Sequence, residues 1–264
     1  EGWRPTKDQL DRYGRTIPDR LYGTPEFERI VSLKARTEAV ARHLTEYMKS
    51  TDRWAKTIVF CVDQEHADDM RRELNNLNTD LVKDHPDYVV RIVSDEGDIG
   101  RGHLYRFMDI ETQTPVLVTT SQLLTTGVDV PLCKNIVLFR VINSMTDFKQ
   151  IIGRGTRVRD DYGKLFFTIL DYTGSATKLF ADPDFDGQPA LLTEEEEGVL
   201  RPVKVIIKPF AEDEEKEVTM TDDSERELRK FYVDEGTVEI TADTVYSLDD
   251  SGKRIRAISY TEYT

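Results

Sequence analysis

Cysteine is too scarce here to hold a fold together. The chain has two in 264 residues, Cys61 and Cys133, each inside an apolar run and without paired spacing, which excludes a disulfide framework and a cysteine zinc site. Histidine is equally sparse. The four, at 43, 66, 85 and 103, show no metal-ligand spacing, so no metal site is expected and they are read as surface residues. No apolar run approaches the roughly 20 residues that a membrane-spanning helix needs. The opening Glu-Gly-Trp-Arg-Pro has neither a basic start nor an apolar core and lacks an initiator methionine, so the chain reads as a cytoplasmic fragment of a longer one.

An excess of positive charge is also missing, and the net charge is -14. That total argues against contact with nucleic acid, but it hides an asymmetry. Residues 179 to 264 hold 23 Asp and Glu against 10 Lys and Arg, leaving 27 against 26 in the rest. Between Arg140 and Arg159, the cations Arg140, Lys149, Arg154, Arg157 and Arg159 face one acid, Asp147. A local cationic edge can therefore meet phosphates, whereas the acidic tail is expected not to bind DNA.

What is present is alternation. Helical spacing from Thr37 to Met48 precedes the apolar run Lys56 to Val62, and an amphipathic stretch from Ala67 to Leu77 follows. Strand candidates at 88 to 93, 115 to 119, 135 to 141 and 164 to 170 then alternate with helices at 102 to 110 and 145 to 152. This pattern predicts an α/β fold, a parallel sheet covered on both faces. Residues 1 to 36 read as a linker leading in, 37 to 178 as the α/β unit, and 179 to 264 as an acidic extension with a small β subdomain. In that extension, residues 201 to 210 suggest one strand, and Asp-Glu-Gly at 234 to 236 and Asp-Asp-Ser-Gly at 249 to 252 are hairpin signals.

Two stretches carry candidate chemistry. In Gln150-Ile-Ile-Gly153-Arg154-Gly155-Thr156-Arg157, two arginines three apart lie on one face of a helical turn, and glycines allow close approach. Guanidinium forks in that arrangement suit an anion with several oxygens; a solvated helix face with a glycine hinge would have the same sequence. In Val116 to Pro131, a buried strand runs into the hydroxyls Thr119, Thr120 and Ser121, and Gly127 and Asp129 form a second tight element. Ligands bind where parallel strands end; an ordinary strand-to-helix junction capped by Ser121 is the plainer alternative.

Together, Lys56 to Cys61, Thr119 to Pro131 and Gln150 to Arg157 resemble motifs IV, V and VI of superfamily 2 helicases and translocases, over residues 50 to 178. The flanks Tyr22 to Arg36, Phe180 to Gly187 and Lys230 to Asp234 narrow the resemblance to the R subunit of type I restriction-modification enzymes. The resemblance implies the second RecA-like lobe of an ATP-driven double-stranded DNA translocase. It implies Arg157 as an arginine finger reaching ATP on a first lobe, Arg154 as its support, and Gln150 as an organiser of nucleotide and water. Gly127, Asp129 and Gly153 would serve the nucleotide side, and Thr119, Thr120 or Ser121 would touch a DNA phosphate. No Gly-x-x-x-x-Gly-Lys-Ser/Thr loop and no Asp-Glu-x-His occur, so ATP and Mg2+ would be held mainly by the other lobe and this stretch alone is expected to be inactive. Double-stranded DNA, the first lobe, and methyltransferase and specificity subunits are the implied partners. Other readings are a lobe of a different superfamily 2 DNA helicase or a RecA-like scaffold without catalysis.

Overall fold

The computed structural model describes residues 2–121, 130–153, 164, 166–176, 192–196, 199–203, 230–235, 244–248 and 254–259. Its centre is a sheet in which β4 (Lys56–Phe60), β5 (Val89–Arg91), β6 (Leu117–Thr120), β7 (Cys133–Leu138) and β8 (Phe167–Asp171) run parallel in the order β8-β7-β4-β6-β5. β4 lies in the middle with all five residues buried, which explains why it reads as a continuous apolar run and not as an alternation. Successive residues still face opposite ways. Ile58, Phe60, Val118, Ile136, Leu138 and Ile169 point to one layer, with Phe107, Phe148, Ile151 and Ile152 of α4 (Gly97–Met108) and α5 (Met145–Ile152). Val59, Cys61, Leu117, Val137 and Leu170 point to the other, against α1 (Lys34–Ser50) and α2 (Gln64–Leu77). A short α3 (Thr79–Val82) follows α2.

The elements begin and end for local reasons. Asp63 caps α2, its carboxylate accepting the His66 amide at 2.8 Å, so the helix starts three residues ahead of the apolar periodicity. Helix α4 begins five residues earlier than expected, at Gly97, and contains three glycines that each weaken its local propensity. Its far end is held by a buried cation: Lys56 Nζ donates to the carbonyls of Phe107, Asp109 and Arg106 at 2.9, 3.2 and 3.3 Å. The cysteines are free and buried.

The histidines differ from expectation. None of the four is exposed, and His66 is 1% accessible. The Val62 amide donates to its Nδ1 at 3.2 Å, and its ring lies 4.5 Å from that of Phe139. Burial, with Arg36 and Lys230 nearby, holds its pKa well below the ordinary value of 6.5. A neutral imidazole is small and apolar enough to serve as core once its accepting nitrogen has a donor.

Strand pairing crosses the divisions drawn from the sequence at 36/37 and 178/179. The first residues carry β1 (Gly2–Trp3), antiparallel to β2 (Tyr22–Gly23), and β3 (Val31–Leu33). β3 pairs in parallel with β11 (Phe231–Val233). Tyr22, Ile17, Val31, Leu33 and Val233 form a small core of their own. The hairpin expected near the end is β12 (Thr244–Leu248) with β13 (Arg254–Ser259), and β12 adds antiparallel to β8, extending the central sheet to seven strands. The strand expected from 201 to 210 is instead β10 (Val199–Val203), paired with β9 (Leu192–Glu196), which takes in most of the acidic run at 194 to 197. None of the helices among the described residues is long and apolar enough to cross a membrane.

Candidate functional site

The parallel strands end along one edge, where Cys61, Thr120, Phe139 and Tyr172 leave the sheet. At the end of β6 the three candidate hydroxyls separate. Thr119 donates to the Ala67 carbonyl at 2.8 Å and is fully buried against α2. Thr120, one residue on, faces the opposite way. Its Oγ1 is buried and has no hydrogen-bond partner among the described residues, while its backbone carbonyl accepts the Cys61 amide at 2.7 Å. Ser121 is 8% exposed. Sequence alone left the three equivalent; strand alternation and the position of α2 distinguish them.

Helix α5 carries the other described candidates. Ser144 caps it, accepting the Asp147 amide at 3.3 Å. Phe148, Ile151 and Ile152 anchor it in the core, and Lys149 and Gln150 face solvent. A helix with that burial pattern presents Gln150 outward by default, because 148, 151 and 152 occupy the inner stripe. Gly153 closes the last turn, its amide bonded to the Lys149 carbonyl at 3.0 Å. A Cβ at that position would lie 3.1 Å from the same carbonyl oxygen, so the glycine serves the tight turn. No hydrogen bond links Gln150 with Thr119, Thr120 or Ser121. Gly127, Asp129, Arg154 and Arg157 lie outside the described residues.

Arg140 follows β7 directly. Its Nη2 is 3.5 Å from Asp147, and its Nε is buried without a hydrogen-bond partner. Burial lowers its pKa from the ordinary value, with Asp147 acting the other way. Arg36, from the first turn of α1, lies against the same strand end with its guanidinium 4.4 Å from the centre of the Phe139 ring. The sequence reading did not single out Arg36. The only available signal was a cation near a helix start, where the helix dipole disfavours positive charge.

Residues 38–159 match the helicase conserved C-terminal domain. The chain is 43% identical over its whole length to the type I restriction enzyme EcoAI endonuclease subunit of Escherichia coli, of which it spans 35%. It is 33% identical to the EcoKI endonuclease subunit of Escherichia coli K12 over 62% of this chain and 14% of that one. Among solved structures, a fragment of an HsdR subunit of a type I restriction enzyme from Vibrio vulnificus is 73% identical, with a TM-score of 0.56, over 59% of this chain and 30% of that one. The chain thus spans about a third of the curated relative that it matches along its full length. The parallel sheet, its two helical layers and these matches identify the chain as carrying the RecA-like C-terminal lobe of a superfamily 2 helicase, of the kind found in the R subunits of type I restriction enzymes.

Proposed function

We propose that this chain is the second motor lobe of an ATP-dependent DNA translocase, within the R subunit of a cytoplasmic type I restriction enzyme. The observation that carries the reading is the 43% identity to the EcoAI endonuclease subunit along the entire chain. Residues 37–178 are the lobe proper, flanked by 1–36 and by the acidic extension 179–264. Arg157 acts as the arginine finger and Arg154 supports it, both just beyond the turn at Gly153. Gln150, outward on α5, helps to order the attacking water, and Gly127, Asp129 and Gly153 shape the nucleotide side. Thr120 is the preferred contact to a DNA phosphate, since the Thr119 hydroxyl is already bonded to Ala67; Ser121 adjoins it.

Phosphoryl transfer depends mostly on positioning and on neutralising charge that develops at the γ-phosphate, and a finger from a separate lobe adds roughly three to five powers of ten in rate. Among the described residues no cluster of His, Cys, Asp or Glu could hold a metal, which suits a lobe that leaves ATP and Mg2+ to its partner. When bound there, Mg2+ neutralises phosphate charge. Double-stranded DNA, the first lobe, and methyltransferase and specificity subunits complete the assembly. The test is ATP turnover: the isolated chain is inactive, and adding a separately expressed first lobe with double-stranded DNA restores turnover. DNA-stimulated turnover by the isolated chain that survives Arg157→Ala would remove the reading.

A further inference from the structure

We infer that the cleft at the carboxyl ends of β4, β7 and β8 is a phosphate-binding pocket whose ligands are Arg29, Arg36 and Arg140, with Asn143 beside them. It shares no residue with Gln150–Gly153 or Thr119–Ser121, and it does not rest on the motor reading. The cleft encloses about 280 Å3. Cavities for small molecules run from about 300 to 1,000 Å3, so this one suits a phosphate group with part of its attachment and not a whole nucleotide.

Three arginines enter the cleft from three different elements: Arg29 from the segment before β3, Arg36 from α1, and Arg140 from the end of β7. Their charge is poorly matched by the protein. The Arg36 side chain is 11% exposed and stacks on Phe139, with Phe27 also in reach at 5.4 Å. Its carboxylate neighbour, Glu28, lies 4.0 Å away and accepts a hydrogen bond from the Ser32 hydroxyl at 2.7 Å. Arg140 has Asp147 at 3.5 Å and an Nε that is buried and unbonded. Arg29 is exposed and has no ion pair among the described residues.

Three cations thus meet two carboxylates, both near the outer limit of ion pairing. Burial lowers the pKa of Arg36 and of Arg140, with Glu28 and Asp147 opposing, the sign of a desolvated charge that an anion would stabilise. Stacking on Phe139 fixes the plane of the Arg36 fork without using its donors. A planar carboxylate is saturated by two forks, whereas a tetrahedral phosphate offers oxygens to three that approach from separate directions.

The phosphate can belong to a DNA backbone or to a free or small-molecule phosphate, and the experiment separates these sources. Inorganic phosphate is titrated into the full chain and into Arg140→Met and Arg29→Met, following the Arg140 Nε–H resonance and the heat of binding. Wild type should bind saturably, and each variant should bind at least tenfold more weakly. Arg29 is exposed and unpaired, so its variant keeps the test informative even if Arg140→Met disturbs folding. Duplex DNA binding is then measured against salt. A slope reduced by about 0.9 in Arg29→Met assigns the phosphate to the DNA backbone; an unchanged slope, with inorganic phosphate binding still lost, assigns the pocket to a free or small-molecule phosphate. Absence of saturable phosphate binding by wild type, or binding that both variants leave unchanged, overturns the proposal.

Discussion

Arg12 and Asp234 are 222 positions apart and form a two-pronged ion pair, Nε to Oδ2 at 2.8 Å and Nη2 to Oδ1 at 2.5 Å. Beside it Arg15 donates to the Lys230 carbonyl at 2.6 Å, and the Arg12 amide to the Tyr232 carbonyl at 2.9 Å. Lys230 and Tyr232 in turn reach Asp63 and Glu65 at the start of α2. A short late segment is thereby bonded both to the first residues and to the lobe.

The pair itself should matter little and the apolar contact beneath it much. Arg12 and Asp234 side chains are 45% and 39% exposed, so Asp234→Asn is expected to cost under about 1 kcal/mol and to have less effect in high salt. Val233 is 5% exposed. Val233→Asp would bury an unpaired charge and should release β11, read as faster amide exchange at Val31 to Leu33 with the central strands unchanged. Uniform acceleration across both sheets would contradict this.

Lys56 satisfies three carbonyls at the end of α4, and Lys56→Met should lower unfolding free energy in urea by about 2 kcal/mol, the scale of buried acceptors left unpaired. Burial pushes the Lys56 pKa down to about 8, against the pull of Asp109. Between pH 8 and 10.5 the unfolded chain therefore binds more protons than the folded one at this site, and its contribution to stability rises with pH. The gap between wild type and Lys56→Met should widen over that window and stay flat below it.

Asp11 should respond at the acid end. Burial pushes its carboxyl upward, but Arg15 and the backbone amides of Arg15 and Tyr13 outweigh this and hold it below its ordinary value of 3.8. The stabilisation is present above 3.8 and disappears as pH falls through the lowered value. A carboxyl carbon chemical-shift titration should show that lowered value in the wild type and a return toward 3.8 in Arg15→Met.

The two threonines of β6 should behave oppositely. Thr119→Val removes the bond to Ala67 and is expected to cost about 1 kcal/mol of stability with little effect on DNA binding. Thr120→Val removes a buried hydroxyl that has no partner, so stability should hold while DNA affinity of the assembled motor falls. Equal effects of both on DNA binding would argue against Thr120 as the phosphate contact.

In the assembled enzyme, Arg157→Ala and Arg154→Ala should cut ATP turnover by at least a hundredfold and leave nucleotide binding within a few fold, since a finger acts on charge present only in the transition state. Single-turnover kinetics with a fluorescent nucleotide would separate the two quantities. Near-normal turnover in both variants would contradict the assignment.

The central sheet was legible because its strands are buried on both faces and its helices have one apolar stripe, and each of these properties leaves a periodic trace in the sequence. Helix starts were less legible where a cap such as Asp63, and not an apolar residue, sets the boundary. The segment before β3 was read as a linker because its order comes from partners about 200 residues later, which no local pattern encodes. The buried histidine His66 was misread for a related reason: the donor that makes it tolerable, the Val62 amide, comes from the turn after β4. Of the candidate site, hydroxyls and glycines were found by residue type, but the difference between Thr119 and Thr120 needed the position of α2.

The parallel pairing of Val31 with Phe231 has a consequence for how the chain is made. Synthesis at roughly 5 to 20 residues per second leaves β3 waiting about 10 to 40 s for its neighbour to emerge. During that interval Val31 and Leu33 lack the cover that Val233 later provides, and the first part of the chain cannot complete its own small core. The ribosome must therefore release nearly the whole polypeptide before its beginning can settle, so a premature stop anywhere ahead of residue 230 damages the start of the protein as well as its end.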